Sequence, residues 1–122
     1  MRNILLVEDE EALLNILGTI LGDEGYEVKK SLGAEEALRL CENHQPDLII
    51  CDGKMGGMDG FAMLEKLKAT EKFKNIPFVF LTALNDTEGK KKGLRLGAQA
   101  YITKPFDVDE LLEKVRNLVP PR

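Results

Sequence analysis

The chain of 122 residues has a single histidine, two cysteines and no tryptophan, and its main apolar runs are only four residues long. Nothing approaches the roughly 20 apolar residues that a membrane-crossing helix needs. Met1-Arg2-Asn3 leads into Ile4-Leu5-Leu6-Val7 and then straight into Glu8-Asp9-Glu10-Glu11, so no secretory leader is expected. Cys41 and Cys51 lack CxxC spacing and fall in a predicted helix and a predicted strand, which reads as two buried thiols and not as a redox pair. No linker, low-complexity tract or internal repeat is visible. A net charge of −4 and a pI near 5.1 argue against direct nucleic-acid binding by this chain. What these absences leave is a cytoplasmic globular protein, expected as one domain over residues 1–122 with one hydrophobic core.

Apolar runs begin near Ile4, Tyr26, Leu48, Phe78 and Ala100, and the stretches between them have helical periodicity. The first helix carries Leu13, Ile16, Leu17, Ile20 and Leu21 on one stripe. Ala37, Leu38 and Cys41 mark a second helix, and Phe61, Leu64 and Leu67 a third. A fourth, from about Asp86 to Leu96, is weak, because Gly89 and Gly93 each cost about 1 kcal/mol relative to alanine. Its Lys90-Lys91-Lys92 run reads as a solvated face, and the helix is expected to be the most mobile element. The last helix, with Leu111, Leu112, Val115, Leu118 and Val119, opens on the capping-box pattern Asp107-Val108-Asp109-Glu110 and is stopped by Pro120-Pro121.

Strands one and three are continuously apolar, without alternation, as in a parallel sheet covered on both faces. Right-handed crossovers then favour a doubly wound α/β fold: five parallel strands in the order 2-1-3-4-5, flavodoxin-like, with a switch point between strands one and three. The acidic residues fall there. Ile4–Val7 ends in Glu8-Asp9, and Leu48–Cys51 ends in Asp52. Three carboxylates gathered in a crevice repel one another and call for a hard divalent cation. Phe78–Leu81 delivers Thr82 to the same edge, and Ala100–Thr103 delivers Lys104-Pro105. A hydroxyl and an ammonium facing a metal suit an anionic group, with one carboxylate free to act as nucleophile. That chemistry is phosphoryl transfer to an aspartate.

The chain resembles the receiver domains of two-component response regulators, the chemotaxis-regulator fold, over essentially its whole length. The segments that carry the resemblance are Val7-Glu8-Asp9-Glu10, Asp47-Leu48-Ile49-Ile50-Cys51-Asp52, Met55 with Gly57-Met58-Asp59-Gly60, Leu81-Thr82-Ala83, Gly97-Ala98, and Tyr101-Ile102-Thr103-Lys104-Pro105-Phe106. The resemblance implies that Asp52 is the phosphoacceptor and that Glu8, Asp9, Asp52 and the Lys54 backbone carbonyl hold Mg²⁺, which Mn²⁺ can replace. It implies that Thr82 and Lys104 contact the phosphoryl oxygens, that the Lys104-Pro105 bond is cis, and that Tyr101 turns inward with Thr82 to switch a surface made by helix four, strand five and helix five. Such a domain is a self-modifying switch, not a turnover enzyme. It implies a sensor histidine kinase or phosphotransfer protein as phosphoryl donor, since His44 reads as a solvated loop residue. A covalently linked effector domain outside this chain and a homodimer formed on phosphorylation are further expectations; a membrane partner is not.

The chain departs from the family just after the acceptor, with Gly56 where a proline is usual and Lys54 two residues beyond Asp52. The loss of the proline costs about 1 kcal/mol of stability. The lysine is expected to shield the acyl phosphate and alter its lifetime. Gln99-Ala100, where many winged-helix regulators are acidic, weakens any inference about how copies dimerise. A flavin carrier of the same topology would need a phosphate-cradling loop where Glu8-Asp9-Glu10-Glu11 stands. An aspartate-based phosphohydrolase would need an acid at Lys54. The remaining alternative is a degenerate receiver that only binds partners.

Overall fold

The computed structural model describes residues 2–121. Strands and helices alternate strictly: β1 (Asn3–Val7), α1 (Glu11–Asp23), β2 (Glu27–Ser31), α2 (Ala34–Asn43), β3 (Leu48–Asp52), α3 (Gly60–Lys68), β4 (Phe78–Ala83), α4 (Thr87–Arg95), β5 (Ala100–Lys104) and α5 (Val108–Leu118). The five strands are parallel in the order β2-β1-β3-β4-β5. This is the doubly wound topology the sequence pattern predicts. No helix among the described residues is long and apolar enough to cross a membrane.

The unbroken apolar strands are explained by their two faces. Leu5, Val7, Ile49, Cys51, Phe78 and Phe80 pack toward α2 and α3, while Ile4, Leu6, Leu48, Ile50, Val79, Leu81 and Ile102 pack toward α1 and α5. Each face therefore has its own apolar layer, so the single expected core is two cores separated by the sheet. Both thiols are buried and free. Burial pushes the Cys41 thiol up to about 11 and the Cys51 thiol well above its ordinary range.

Several helix details differ from the pattern reading. Leu14, Leu17 and Leu21 are the buried residues of α1, whereas Ile16 is 54% exposed. At 100° per residue Ile16 lies about 130° around the helix from the centre of that buried trio, so the stripe is rotated from the one the sequence suggested, taking in Leu14, which that reading left out, and leaving Ile16 outside. The capping box of α5 does not form: the Asp107 side chain accepts from the Asp109 amide at 2.8 Å, and Glu110 pairs with Lys114 instead. Val119 is buried but already extended, as befits a residue before proline. Tyr26 precedes β2, and its hydroxyl donates to the Val119 carbonyl at 2.6 Å, tying the end of α5 to the start of the β2 edge.

Of the two glycines that weaken α4, Gly93 is required by packing, whereas Gly89 faces only the tip of a side chain. A Cβ on Gly93 would lie 2.7 Å from the Phe80 ring, and one on Gly89 would lie 2.2 Å from the Asp86 carboxylate. The lysine run is not simply solvated either, because Lys90 lies over the Tyr101 ring at 5.1 Å and Lys92 over Phe61 at 4.8 Å.

Candidate functional site

Parallel register brings the strand ends together. Val7 is opposite Cys51 and Asp52 is opposite Leu81, so the residues that follow β1 and end β3 share the carboxyl edge of the sheet. Thr82 is paired with Thr103 and Ala83 with Lys104 on the neighbouring strands. Glu8, Asp9 and Asp52 consequently offer carboxylate oxygens that all lie within 4.8 Å of one another. Glu8 and Asp52 are buried and Asp9 is exposed.

Lys104 reaches into this group. Its ammonium donates to Asp52 Oδ2 at 2.8 Å and to Glu8 Oε1 at 3.0 Å. Burial holds the Glu8 carboxyl above its usual range, although the Glu10 amide and Lys104 both donate to it and pull the other way. Burial alone would lower the Lys104 pKa; the hydrogen bonds to Asp52 and Glu8 override it and raise it. The Lys104-Pro105 bond is cis.

The loop after β3 closes over the same spot. The Lys54 amide donates to Asp52 Oδ1 at 3.2 Å and the Gly56 amide to Asp9 Oδ2 at 3.4 Å. Gly57 takes φ +73°, a conformation suited to glycine. Asp59 caps α3 through the Ala62 amide. Gly60 follows because nothing larger fits: a Cβ there would meet the Asp52 carbonyl at 2.4 Å.

Thr82 completes the arrangement. Its hydroxyl is buried without a hydrogen-bond partner, a costly state for a polar atom unless a ligand supplies one. On one side of it lies a cavity of about 190 Å³ lined by Asp52, Lys54, Thr82, Asp86 and Lys104. On the other lies an apolar cavity of about 10 Å³, room for one water, bounded by Phe80, Gly93 and the half-buried Tyr101.

The family model for the response regulator receiver domain matches residues 4–116. The chain belongs to this family. The receiver is 36% identical over 119 residues to the DNA-binding dual master transcriptional regulator RpaA of Synechocystis, an alignment covering 98% of this chain and 49% of that protein. It superposes on the Vibrio cholerae chemotaxis protein CheY4 with a TM-score of 0.91 at 29% identity, covering 98% and 99% of the two chains. On the receiver domain of the Francisella response regulator 1452 the TM-score is 0.88 at 31% identity, with 97% and 96% covered. The chain spans about half the length of several curated relatives it matches.

All the side chains singled out in the sequence meet at the one edge: Glu8, Asp9, Asp52, Thr82 and Lys104 converge, with Lys54 at the rim and Tyr101 behind Thr82. His44 is exposed at the end of α2, before β3 begins, and not among the residues at the carboxyl edge. The sequence reading missed Asp86, which it saw only as a helix start. In the receiver Asp86 lines the larger cavity, caps α4 and pairs with Lys54 at 3.7 Å. Gln99 also has a structural role, accepting the first amide of β4 at 2.7 Å.

Proposed function

We propose that this receiver takes a phosphoryl group onto Asp52 from a phosphohistidine of a sensor kinase or phosphotransfer protein, and loses it again to water. The observation that carries the reading is the convergence of three carboxylates within 4.8 Å of one another, two of them, Glu8 and Asp52, bonded to a single ammonium that lies 2.8 Å from Asp52. Three ionised carboxylates against one lysine leave two negative charges, the deficit that a divalent cation balances. Glu8, Asp9, Asp52 and the Lys54 carbonyl are the oxygens that would hold Mg²⁺ there. When bound, the ion neutralises phosphoryl charge and so lowers the barrier to transfer.

An Asp52 carboxylate oxygen attacks phosphorus, the phosphorus–nitrogen bond breaks, and the donor imidazole leaves with its electron pair. Lys104 is already in place to follow a phosphoryl oxygen, and the partnerless Thr82 hydroxyl is free to donate to another. Hydrolysis is the same displacement with water as nucleophile, returning the Asp52 carboxylate and inorganic phosphate. The chain is thus a switch that modifies itself and not a turnover enzyme. As Thr82 moves toward the phosphoryl group, Tyr101 fills the space behind it, and the α4-β5-α5 surface changes shape for an effector domain or a second copy. Residues 1–122 act as one receiver unit in the cytoplasm.

Incubation with Mg²⁺ and acetyl phosphate tests the reading. Intact mass should rise by one phosphoryl group, located at Asp52, and Asp52→Asn should show no gain. Absence of any gain at saturating donor would instead leave a domain that acts only by binding partners.

A further inference from the structure

Lys54 reaches Asp86 across the mouth of the acceptor cavity, with the ammonium 3.7 Å from Oδ2. Asp86 has a second task, because its Oδ1 accepts the Gly89 amide at 3.0 Å and so caps α4. Carboxylate and first helical turn are therefore in direct contact and move together. The link to Lys54 is loose by comparison. That side chain is 79% exposed and Asp86 18%, and an ion pair of this length at a surface is easily exchanged for a better partner.

We infer that Asp86 is a positioning residue that conveys charge arriving on Asp52 to the first turn of α4, with Lys54 as the movable counter-ion. The inference rests on the phosphoacceptor reading. Asp52, Lys54 and Asp86 line one cavity. Phosphorylation replaces the single charge of the Asp52 carboxylate with close to two on the phosphoryl oxygens, a net gain of about one, and a group of two charges attracts Lys54 more strongly than a single carboxylate does. Once Lys54 turns toward the phosphoryl group, Asp86 loses its partner and faces a dianion. Repulsion moves the carboxylate outward, and the Gly89 amide goes with it. The route is separate from the one through Thr82 and Tyr101 and requires no rotation of the tyrosine.

Backbone amide resonances of the full chain, recorded with Mg²⁺ before and after excess acetyl phosphate, read both routes in one sample, with intact mass on the same tube giving occupancy. In wild type the Gly89 and Thr82 amides should both shift. Asp86→Asn retains a capping oxygen but no charge, and its Gly89 displacement should fall to half or less while the Thr82 displacement is kept. Lys54→Met, an exposed change without risk to folding, should move the resting Gly89 resonance toward its phosphorylated position. Equal Gly89 displacement in wild type and Asp86→Asn, or an unmoved resting resonance in Lys54→Met, at equal occupancy, would overturn the inference alone. No mass gain in wild type would overturn the phosphoacceptor reading as well.

Discussion

Alanine at Gly93 and alanine at Gly22 are the same chemical change in two helices, yet the surroundings give them opposite signs. Both replacements reduce the backbone freedom of the unfolded chain and favour helix, a gain of up to about 1 kcal/mol. At Gly22, near the end of α1, an added Cβ meets nothing within 4 Å, so the gain is realised, reduced to about 0.5 kcal/mol by its place in the last turn. At Gly93 the Cβ would stand 2.7 Å and 2.9 Å from two carbons of Phe80. That ring yields little, since its centroid lies 4.7 Å from that of Phe61 and 4.8 Å from that of Phe78 and the cavity beside it has room for only one water. Overpacking of this kind costs about 1–3 kcal/mol, which exceeds the helical gain and leaves a net loss of about 1 kcal/mol. Urea unfolding followed by far-UV circular dichroism reads the difference. With a slope of about 2 kcal/mol per molar, Gly93→Ala should lower the midpoint by about 0.5 M and Gly22→Ala should raise it by about 0.25 M. A Gly93→Ala protein as stable as wild type would refute the claim that α4 is seated directly on Phe80.

Thr82→Val removes a buried hydroxyl that has no partner and keeps the shape, so it should stabilise the unphosphorylated protein by about 1 kcal/mol in urea melts while slowing the gain of phosphoryl mass at Asp52 from acetyl phosphate. Mg²⁺ at a hundred times its dissociation constant should add about 2.7 kcal/mol of stability, removable with EDTA, and Asp9→Asn should abolish most of that increment in calorimetry. Gly60→Ala should give little folded protein by circular dichroism, because its Cβ would collide with the Asp52 carbonyl and backbone cannot yield as a side-chain tip can. Alkaline stability should fall, for Cys41 has a folded pKa of about 11 against about 9 unfolded; the stabilisation is complete below pH 9 and lost as pH rises through 11, about 1.4 kcal/mol being gone at pH 10. Neither thiol should react with a thiol reagent at neutral pH until denaturant is added, as both are buried.

Fold and site were legible in the sequence to different depths, and the reason is the range over which each is encoded. Strand runs ending in Glu8-Asp9, Asp52, Thr82 and Lys104 are local patterns, and a parallel sheet has few ways to arrange them. Convergence at one edge then follows from topology alone, as the 2.8 Å contact between Lys104 and Asp52 across 52 residues demonstrates. What stayed hidden depends on facts that no local pattern carries. Ile16 fits the apolar stripe read for α1 and Leu14 falls outside it, yet Leu14 is the buried one, because only the direction from which the sheet approaches decides between two adjoining apolar faces. Asp107 and Glu110 have the spacing of a capping box, yet the amide two residues on lies nearer and takes the bond.

Gly89 and Gly93 show the same limit from the other direction. Propensity correctly assigns each a cost, but what makes glycine necessary at position 93 is a phenylalanine ring from another element, and at position 89 a Cβ would meet only the tip of the Asp86 side chain. A helix that is weak by composition is thereby held close to the acceptor site, with Asp86 at its start and Phe80 under its middle. Weak intrinsic helix and tight external seating are the combination in which a small local displacement shifts a whole element, because little helix propensity of its own resists it. If the seating were loosened while the charge on Asp86 remained, hydrogen exchange in the first turn of α4 should accelerate without phosphorylation. Gly93→Ala, which pushes α4 off Phe80 and leaves Asp86 untouched, is the variant in which exchange at the Gly89 amide decides this. An unchanged Gly89 exchange rate would mean that the cap alone, and not the contact with Phe80, holds that turn in place.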